Sequence, residues 1–385
     1  MKRILIIALL LIFVVGGIPP IQGNATEKEE FAVEAKSAVL MEATTGTVLF
    51  AQNEKESLAP ASVTKVMTLL LVMEAVDAGR ISLSDVVRIS ANAASMGGSQ
   101  VFMKEGEEFT VEELLKCCVI ASANDAALAL AEYTYGTEAL FVAKMNERAK
   151  ELGLTSTKFE NTTGLDDTTV AHLTSALDIA AMSRELIKYP KILEYSSLWQ
   201  DSIRDGTFTL TNTNRLVRYY KGCTGLKTGS TDKAGYCVSV TAEREGLSLI
   251  CVVMGAPSRD VRNSIATGLL DHGFAGYGLY EHDEEILESI PLLGGEKACV
   301  QVKNTAFSSV IQKSGLPVEM IFDIPQTLQA PIKEGEVVGK VYYKIGEKEI
   351  GESDIVVCED VSKITYFQIF WRMVLNFVMG VHVSE

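Results

Sequence analysis

Residues 225–255 read GLKTGSTDKAGYCVSVTAEREGLSLICVVMG. Three strand-like runs lie in this stretch, Gly225 to Thr228, Tyr236 to Glu243 and Leu247 to Gly255. Short polar turns separate them, which predicts neighbouring antiparallel strands. A matching pair lies far upstream, where Ser37 to Glu42 and Thr47 to Gln52 flank Thr44-Thr45-Gly46. Between the two blocks the hydrophobic period changes. Val63 to Val76 is apolar nearly all round and predicts a buried helix. Val111 to Leu130 is a second apolar helical stretch, interrupted at Ser122-Ala123-Asn124. Leu140 to Leu152 is amphipathic and ends at Gly153, and Leu173 to Tyr189 reads as one helix stopped by Pro190. Arg259 to Phe274 is helical again. Strands at both ends with helices between them predict an α+β domain. Its antiparallel sheet is assembled from the two ends of the segment, with helices packed on it.

That domain is expected over 37–280. The acidic run Glu281 to Glu288 marks a change in composition. Beyond it the segments are short, β-rich and broken by turns: Cys299 to Lys303, Val318 to Ile324, Val337 to Ile345 and Ile350 to Val357. They predict a small all-β domain over 281–360. The tail, 361–385, differs again. Ile364 to Val381 is strongly apolar, and its polar residues Thr365, Gln368, Arg372 and Asn376 fall in one helical stripe. A bilayer-spanning helix would bury Arg372 near the midplane at about 2.5–3.5 kcal/mol. A helix lying in the membrane interface avoids that cost and is the preferred reading. A spanning helix and a buried core or partner helix are the alternatives.

The N-terminus carries Lys2 and Arg3, an apolar run from Ile4 to Ile18, Pro19-Pro20, and small residues at Gly23-Asn24-Ala25. The run is short for a membrane span, so 1–25 reads as an export signal and 26–36 as a polar linker. Of the 385 residues 47% are hydrophobic and 22% charged, enough apolar surface to exclude a disordered chain. The net charge is -15, and losing Lys2 and Arg3 with the signal takes it to -17. Such a field repels polyanions, so nucleic acid is not an expected partner. The seven cysteines are odd in number and form no spaced framework, so they read mainly as small core residues. The four histidines show no metal-ligand spacing, and neither metal nor cofactor is expected.

Three short motifs carry the chemistry. The first is Ser62-Val63-Thr64-Lys65, at the start of the buried helix. Residues three apart share a helix face, so the Ser62 hydroxyl and Lys65 amine can meet. A serine needs a neighbouring base, and a lysine serves as one if burial or nearby positive charge lowers its pKa. Alone the motif says little, because roughly one Ser-x-x-Lys is expected by chance in a chain this long. The second is Ser122-Ala123-Asn124, a hydroxyl and an amide breaking an apolar helical run. The third is Lys227-Thr228-Gly229 on a strand. It offers a charge, a hydroxyl for a carboxylate, and a glycine that lets substrate backbone lie close. Ser62 and Ser122 are 60 residues apart, and Ser122 and Lys227 are 105 apart.

Taken in this order, the motifs resemble those of the active-site serine penicillin-recognising enzymes. Longer stretches are similar to one branch, the low-molecular-weight D-alanyl-D-alanine carboxypeptidases: Ala59 to Lys65, Ser122 to Ala127, Asn161 to Asp166, Asn212 to Leu216 and Gly225 to Tyr236. The resemblance implies a β-lactamase/penicillin-binding-protein-like α+β fold, followed by the small β domain and a C-terminal amphipathic helix at the membrane surface. It implies removal of the terminal D-alanine from peptidoglycan stem peptides, with β-lactams as covalent inhibitors, at the outer face of the cytoplasmic membrane. By position, Ser62 is then the nucleophile, Lys65 its base, and Ser122 a proton shuttle. Asn124 lines the second wall, and Lys227, Thr228 and Gly229 receive the substrate. The backbone N–H groups of Ser62 and Ser230 form the oxyanion hole, and Arg262 stands near the substrate carboxylate. A D,D-endopeptidase, a β-lactamase of the same fold, or a non-turnover penicillin sensor are the competing readings. Oligomeric state, transpeptidase side activity and the role of the β domain stay open.

Overall fold

The computed structural model describes residues 33–166, 169–313 and 315–379. The expected export signal and most of the linker fall outside them. Strand Leu247–Ala256 is central in a five-stranded antiparallel sheet. Ser37–Glu42 and then Val48–Gln52 lie on one side of it, and Gly235–Arg244 and then Cys223–Thr231 on the other. Ala38 pairs with Val253, so the two ends of the segment close the sheet as expected.

Alternation along the strands feeds two cores, because successive strand side chains point to opposite faces. Val39, Met41, Ile250, Val252 and Met254 join the larger core with Val66, Leu70 and Leu128. Ala38, Leu40, Leu249, Cys251 and Val253 join a second core with Leu269, Leu270 and Phe274 of helix Arg259–Gly276. Helix Lys65–Asp77 buries ten of its thirteen residues, consistent with its all-round apolar sequence. Each fully buried leucine or valine there contributes about 1.5–3 kcal/mol. Helix Val111–Ile120 begins at a reciprocal capping box between Thr110 and Glu113. It stops before Ser122, and helix Asn124–Tyr135 resumes the apolar run.

One helix differs from expectation. Leu173 and Thr174 pair as isolated bridges with Lys158 and Leu58, so the helix starts only at Ala176, capped by Ser175. It ends at Leu186, and Pro190 opens a further helix, Pro190–Ser196. Proline has no N–H to lose in a first turn, so it starts a helix as readily as it ends one. The chain then forms a short hairpin of Gln200–Ile203 and Phe208–Thr211, which the sequence reading above does not include.

After helix Arg259–Gly276 the chain runs straight into strand Tyr277–His282, which pairs with Phe307–Gln312 and crosses the expected boundary at 280/281. The C-terminal β region has its own core around Val300, Val302, Val341, Tyr343 and Ile355. Its larger sheet orders Val302–Asn304, Lys348–Val357, Val337–Ile345 and Val318–Asp323. The final helix is Tyr366–Met379. Gln368 Nε2 donates to Glu296 Oε1 at 3.1 Å, and Arg372 donates to the Glu296 carbonyl. These two members of the polar stripe thus face the β region, while Phe367, Phe370, Trp371 and Met373 are exposed. Among the described residues no helix is long and apolar enough to cross a membrane.

Candidate active site

The three motifs meet on one edge of the main sheet. Ser62 sits in a 3-10 turn, Ala61–Thr64, whose entry residue Ala61 has φ +48°. The turn leads directly into helix Lys65–Asp77, and Lys65 is fully buried at its first position. Lys65 Nζ donates to Ser62 Oγ at 2.9 Å, to Asn124 Oδ1 at 2.6 Å and to the Thr163 carbonyl at 3.0 Å. Burial lowers the Lys65 pKa to about 8, against the opposing pull of Cys118 and Asp125. Burial thus favours the free amine that a serine needs as its base.

Ser122 occupies the break between two helices with φ +62°, a backbone region that disfavours any side chain. That strained turn sets its hydroxyl 2.8 Å from Lys227 Nζ, which donates to it. Lys227 also donates to the Thr228 carbonyl at 2.8 Å. Its ammonium is buried, and burial with Lys65 and Arg262 nearby pushes its pKa well below the lysine range. Two lysines thus face two serine hydroxyls, one pair on each wall.

Gly229 lies against the nucleophile. A Cβ added there would come within 2.7 Å of the Ser62 backbone nitrogen and 2.9 Å of that of Val63. Only glycine lets strand Cys223–Thr231 approach the turn this closely. A cleft of about 390 Å³ opens here, lined among others by Ser62, Ser122, Thr228, Gly229, Ser230 and Arg262. Arg262 is nearly buried on helix Arg259–Gly276, held by the Cys237 carbonyl at 3.3 Å and Asn263 Oδ1 at 2.8 Å. Burial, then the neighbouring Arg259, lowers its pKa to about 10. Thr228 Oγ1 donates to Thr213 Oγ1 at 2.8 Å.

All nine residues singled out from sequence therefore gather in one place. Sequence reasoning assigned no role to Thr163, whose carbonyl holds Lys65, or to Trp199, Thr213, Arg215 and Arg259, which line the cleft. The stretches Asn161 to Asp166 and Asn212 to Leu216 carried the signal for Thr163, Thr213 and Arg215; nothing local distinguished Trp199 or Arg259. Among the described residues no cluster of His, Cys, Asp or Glu side chains could hold a metal ion. The charge and hydroxyl pattern can activate a serine, relay a proton and bind a carboxylate.

The chain is similar to known proteins over most of its length. Residues 23–258 match the family of D-alanyl-D-alanine carboxypeptidases, peptidase S11, and residues 274–363 match the C-terminal domain of penicillin-binding protein 5. The chain is 40% identical over 381 residues to D-alanyl-D-alanine carboxypeptidase DacF of Bacillus subtilis, covering 97% of each chain. It is 32% identical over 358 residues to D-alanyl-D-alanine carboxypeptidase DacC of Escherichia coli, covering 89% of this chain and 88% of that one. Among solved structures, penicillin-binding protein 5 from Haemophilus influenzae matches with a TM-score of 0.78 at 30% identity, over 86% of this chain and 98% of that one. Penicillin-binding protein D2 from Listeria monocytogenes, solved in an ampicillin-bound form, matches with a TM-score of 0.58 at 32% identity, over 63% of this chain and 98% of that one.

Proposed function

The chain belongs to the D-alanyl-D-alanine carboxypeptidase family of serine hydrolases, and from that premise we propose that Ser62 removes the terminal D-alanine of peptidoglycan stem peptides. One observation carries the assignment: Lys65 Nζ, its pKa lowered by burial, lies 2.9 Å from Ser62 Oγ. Neutral Lys65 takes the Ser62 proton as Oγ attacks the carbonyl between the two D-alanines. The backbone N–H groups of Ser62 and Ser230 hold the tetrahedral oxygen. The Ser122 and Lys227 pair delivers a proton to the leaving nitrogen, the C–N bond breaks, and D-alanine departs. Its carboxylate is received by Thr228, Lys227 and Arg262. Water then gives a proton to the Ser122 and Lys227 pair, which lost one to D-alanine; its oxygen bonds to the acyl carbon, the ester C–O bond breaks, and Lys65 returns its proton to Ser62 Oγ. β-Lactams acylate the same oxygen by opening their amide ring.

The test is release of D-alanine from diacetyl-Lys-D-Ala-D-Ala by wild type and S62A. Release by wild type alone supports the reading. Release by both overturns the nucleophile. No release, with labelled penicillin still bound at Ser62, turns the reading toward a non-turnover sensor. Fast, repeated turnover of nitrocefin turns it toward a β-lactamase.

We further propose that the protein is exported by residues 1–25 and works at the outer face of the membrane. Residues 37–280 form the catalytic domain and 281–360 a small β domain supported by its separate core, the boundary falling inside strand Tyr277–His282; 361–385 form an anchor whose first residues, Val361 and Lys363, bridge to the β domain. The support for the anchor is the helix Tyr366–Met379, which turns Gln368 and Arg372 to the protein and its large apolar side chains outward. An apolar face of that kind lies in a lipid interface. Co-sedimentation with lipid vesicles should be lost when the chain ends at Lys363; retained binding would overturn the anchor.

A further inference from the structure

Asp125 follows Asn124 and is almost fully buried. Its carboxylate accepts from the N–H groups of Val101 at 3.1 Å, Met103 at 3.1 Å and Ala126 at 3.0 Å. Two of those donors belong to residues 97–103, which pass over the Ser122–Asn124 break. The same segment holds Asn124 from above. Asn124 Nδ2 donates to the Gly97 carbonyl at 2.7 Å, and Asn124 N donates to the Ser99 carbonyl at 2.7 Å. A Cβ on Gly98 would fall 2.8 Å from Asn124 Nδ2, so the segment rests directly on the amide. With Nδ2 committed, Asn124 Oδ1 is turned to Lys65 Nζ at 2.6 Å. From the far side Arg204 donates to the Val101 carbonyl at 3.0 Å and the Phe102 carbonyl at 3.2 Å, and pairs with Glu107 at 2.6 Å.

We propose that Asp125 is a positioning residue: by gathering the Val101 and Met103 N–H groups it fixes the Gly97 and Ser99 carbonyls on Asn124, and so holds Lys65 in register with Ser62. The proposal rests on the reading that Ser62 is acylated with the help of Lys65. Arg204 supports the same segment without touching the reacting groups.

Acylation of the full-length protein by a fluorescent penicillin tests this, with rates expressed per titratable Ser62 across pH 5.5–9.5. D125N is expected to acylate about 10- to 100-fold more slowly at its optimum, because a small displacement of a base costs that much. Its acid limb is expected at lower pH than that of wild type. The groups facing Lys65 are Ser62, Asn124 and the Thr163 carbonyl, with the titratable Cys118, Asp125 and Lys227 nearby. Burial keeps Cys118 neutral and Lys227 opposes the ammonium, so Asp125 is the charge whose loss favours free amine. R204M is expected to slow acylation several-fold with the limb in place. A purely structural carboxylate would lower melting temperature and active titre alone. A D125N rate within twofold of wild type with an unmoved limb overturns the proposal. If D125N yields no titratable protein, R204M decides, and a wild-type rate per site overturns it. Labelling of S62A would instead overturn the nucleophile.

Discussion

Gly229 and Ser62 are in such close approach that a single added carbon on Gly229 would sit 2.7 Å from the Ser62 backbone nitrogen. That nitrogen is the one assigned to the oxyanion, so the fit of the strand against the turn is also the fit of the hole. Gly229→Ala must push the two apart by several tenths of an ångström. Acylation should fall about 10²–10³-fold, the cost of losing an oxyanion donor. Far-UV circular dichroism should be unchanged. A G229A protein acylated at the wild-type rate would show that the hole lies elsewhere.

Lys65 is a liability for stability as well as a base for catalysis. Its folded pKa of about 8 lies below its unfolded value of 10.5. Between these values the unfolded chain holds a proton that the folded chain has released, so stability rises with pH across that window. Below pH 8 the folded protein carries the whole cost of the buried charge, on the order of 3 kcal/mol. K65M should therefore be inactive yet melt at higher temperature than wild type at pH 7, with the difference shrinking from pH 8 to 10.5. A difference that does not vary with pH would contradict this.

His172 works in the opposite range. It lies buried between Thr64 Oγ1, 2.8 Å from Nε2, and the Glu160 N–H, which donates to Nδ1 at 3.0 Å. With Nδ1 accepting, the ring is neutral and its proton sits on Nε2. Burial lowers its pKa from 6.5 to about 4. The unfolded chain then binds the extra proton as pH falls from 6.5 to 4, and stability is lost over that window. Urea unfolding at pH 7, 6, 5 and 4 should show the fall, and H172Q should flatten it. Equal slopes for both proteins would place the acid sensitivity elsewhere.

All seven cysteines are free thiols. Cys117, Cys118, Cys237 and Cys251 are buried, and burial raises each of their pKa values. A thiol-reactive dye should label the exposed Cys299 in the native protein and reach these four only in denaturant. A reducing agent should leave the melting temperature unchanged. A downward shift would reveal a disulfide and refute the arrangement.

The main sheet was legible because its three inner strands are buried on both faces and read as apolar runs with sharp polar turns, whereas Val48–Gln52 at its edge is half-exposed. The motif residues were legible by resemblance, since no local pattern brings Lys227 to Ser122 over 105 residues. What escaped was of two kinds. Short strands such as Phe307–Gln312 are half-buried and too mixed in polarity to show a period. Contacts made by backbone, such as the Thr163 carbonyl on Lys65, depend on chain path and carry no side-chain signature. Pro190 misled for a physical reason, because the same ring that ends one helix fits the first turn of the next.

The catalytic groups come from a turn, a helix break and an edge strand that only the finished sheet and both cores hold together. No subset of these pieces has the nucleophile, its base and the carboxylate site in reach of one another. A chain with every helix formed but strand Cys223–Thr231 still undocked would be blind to penicillin. A fluorescent β-lactam is thus a census of finished molecules: only a chain whose whole architecture has closed can be labelled.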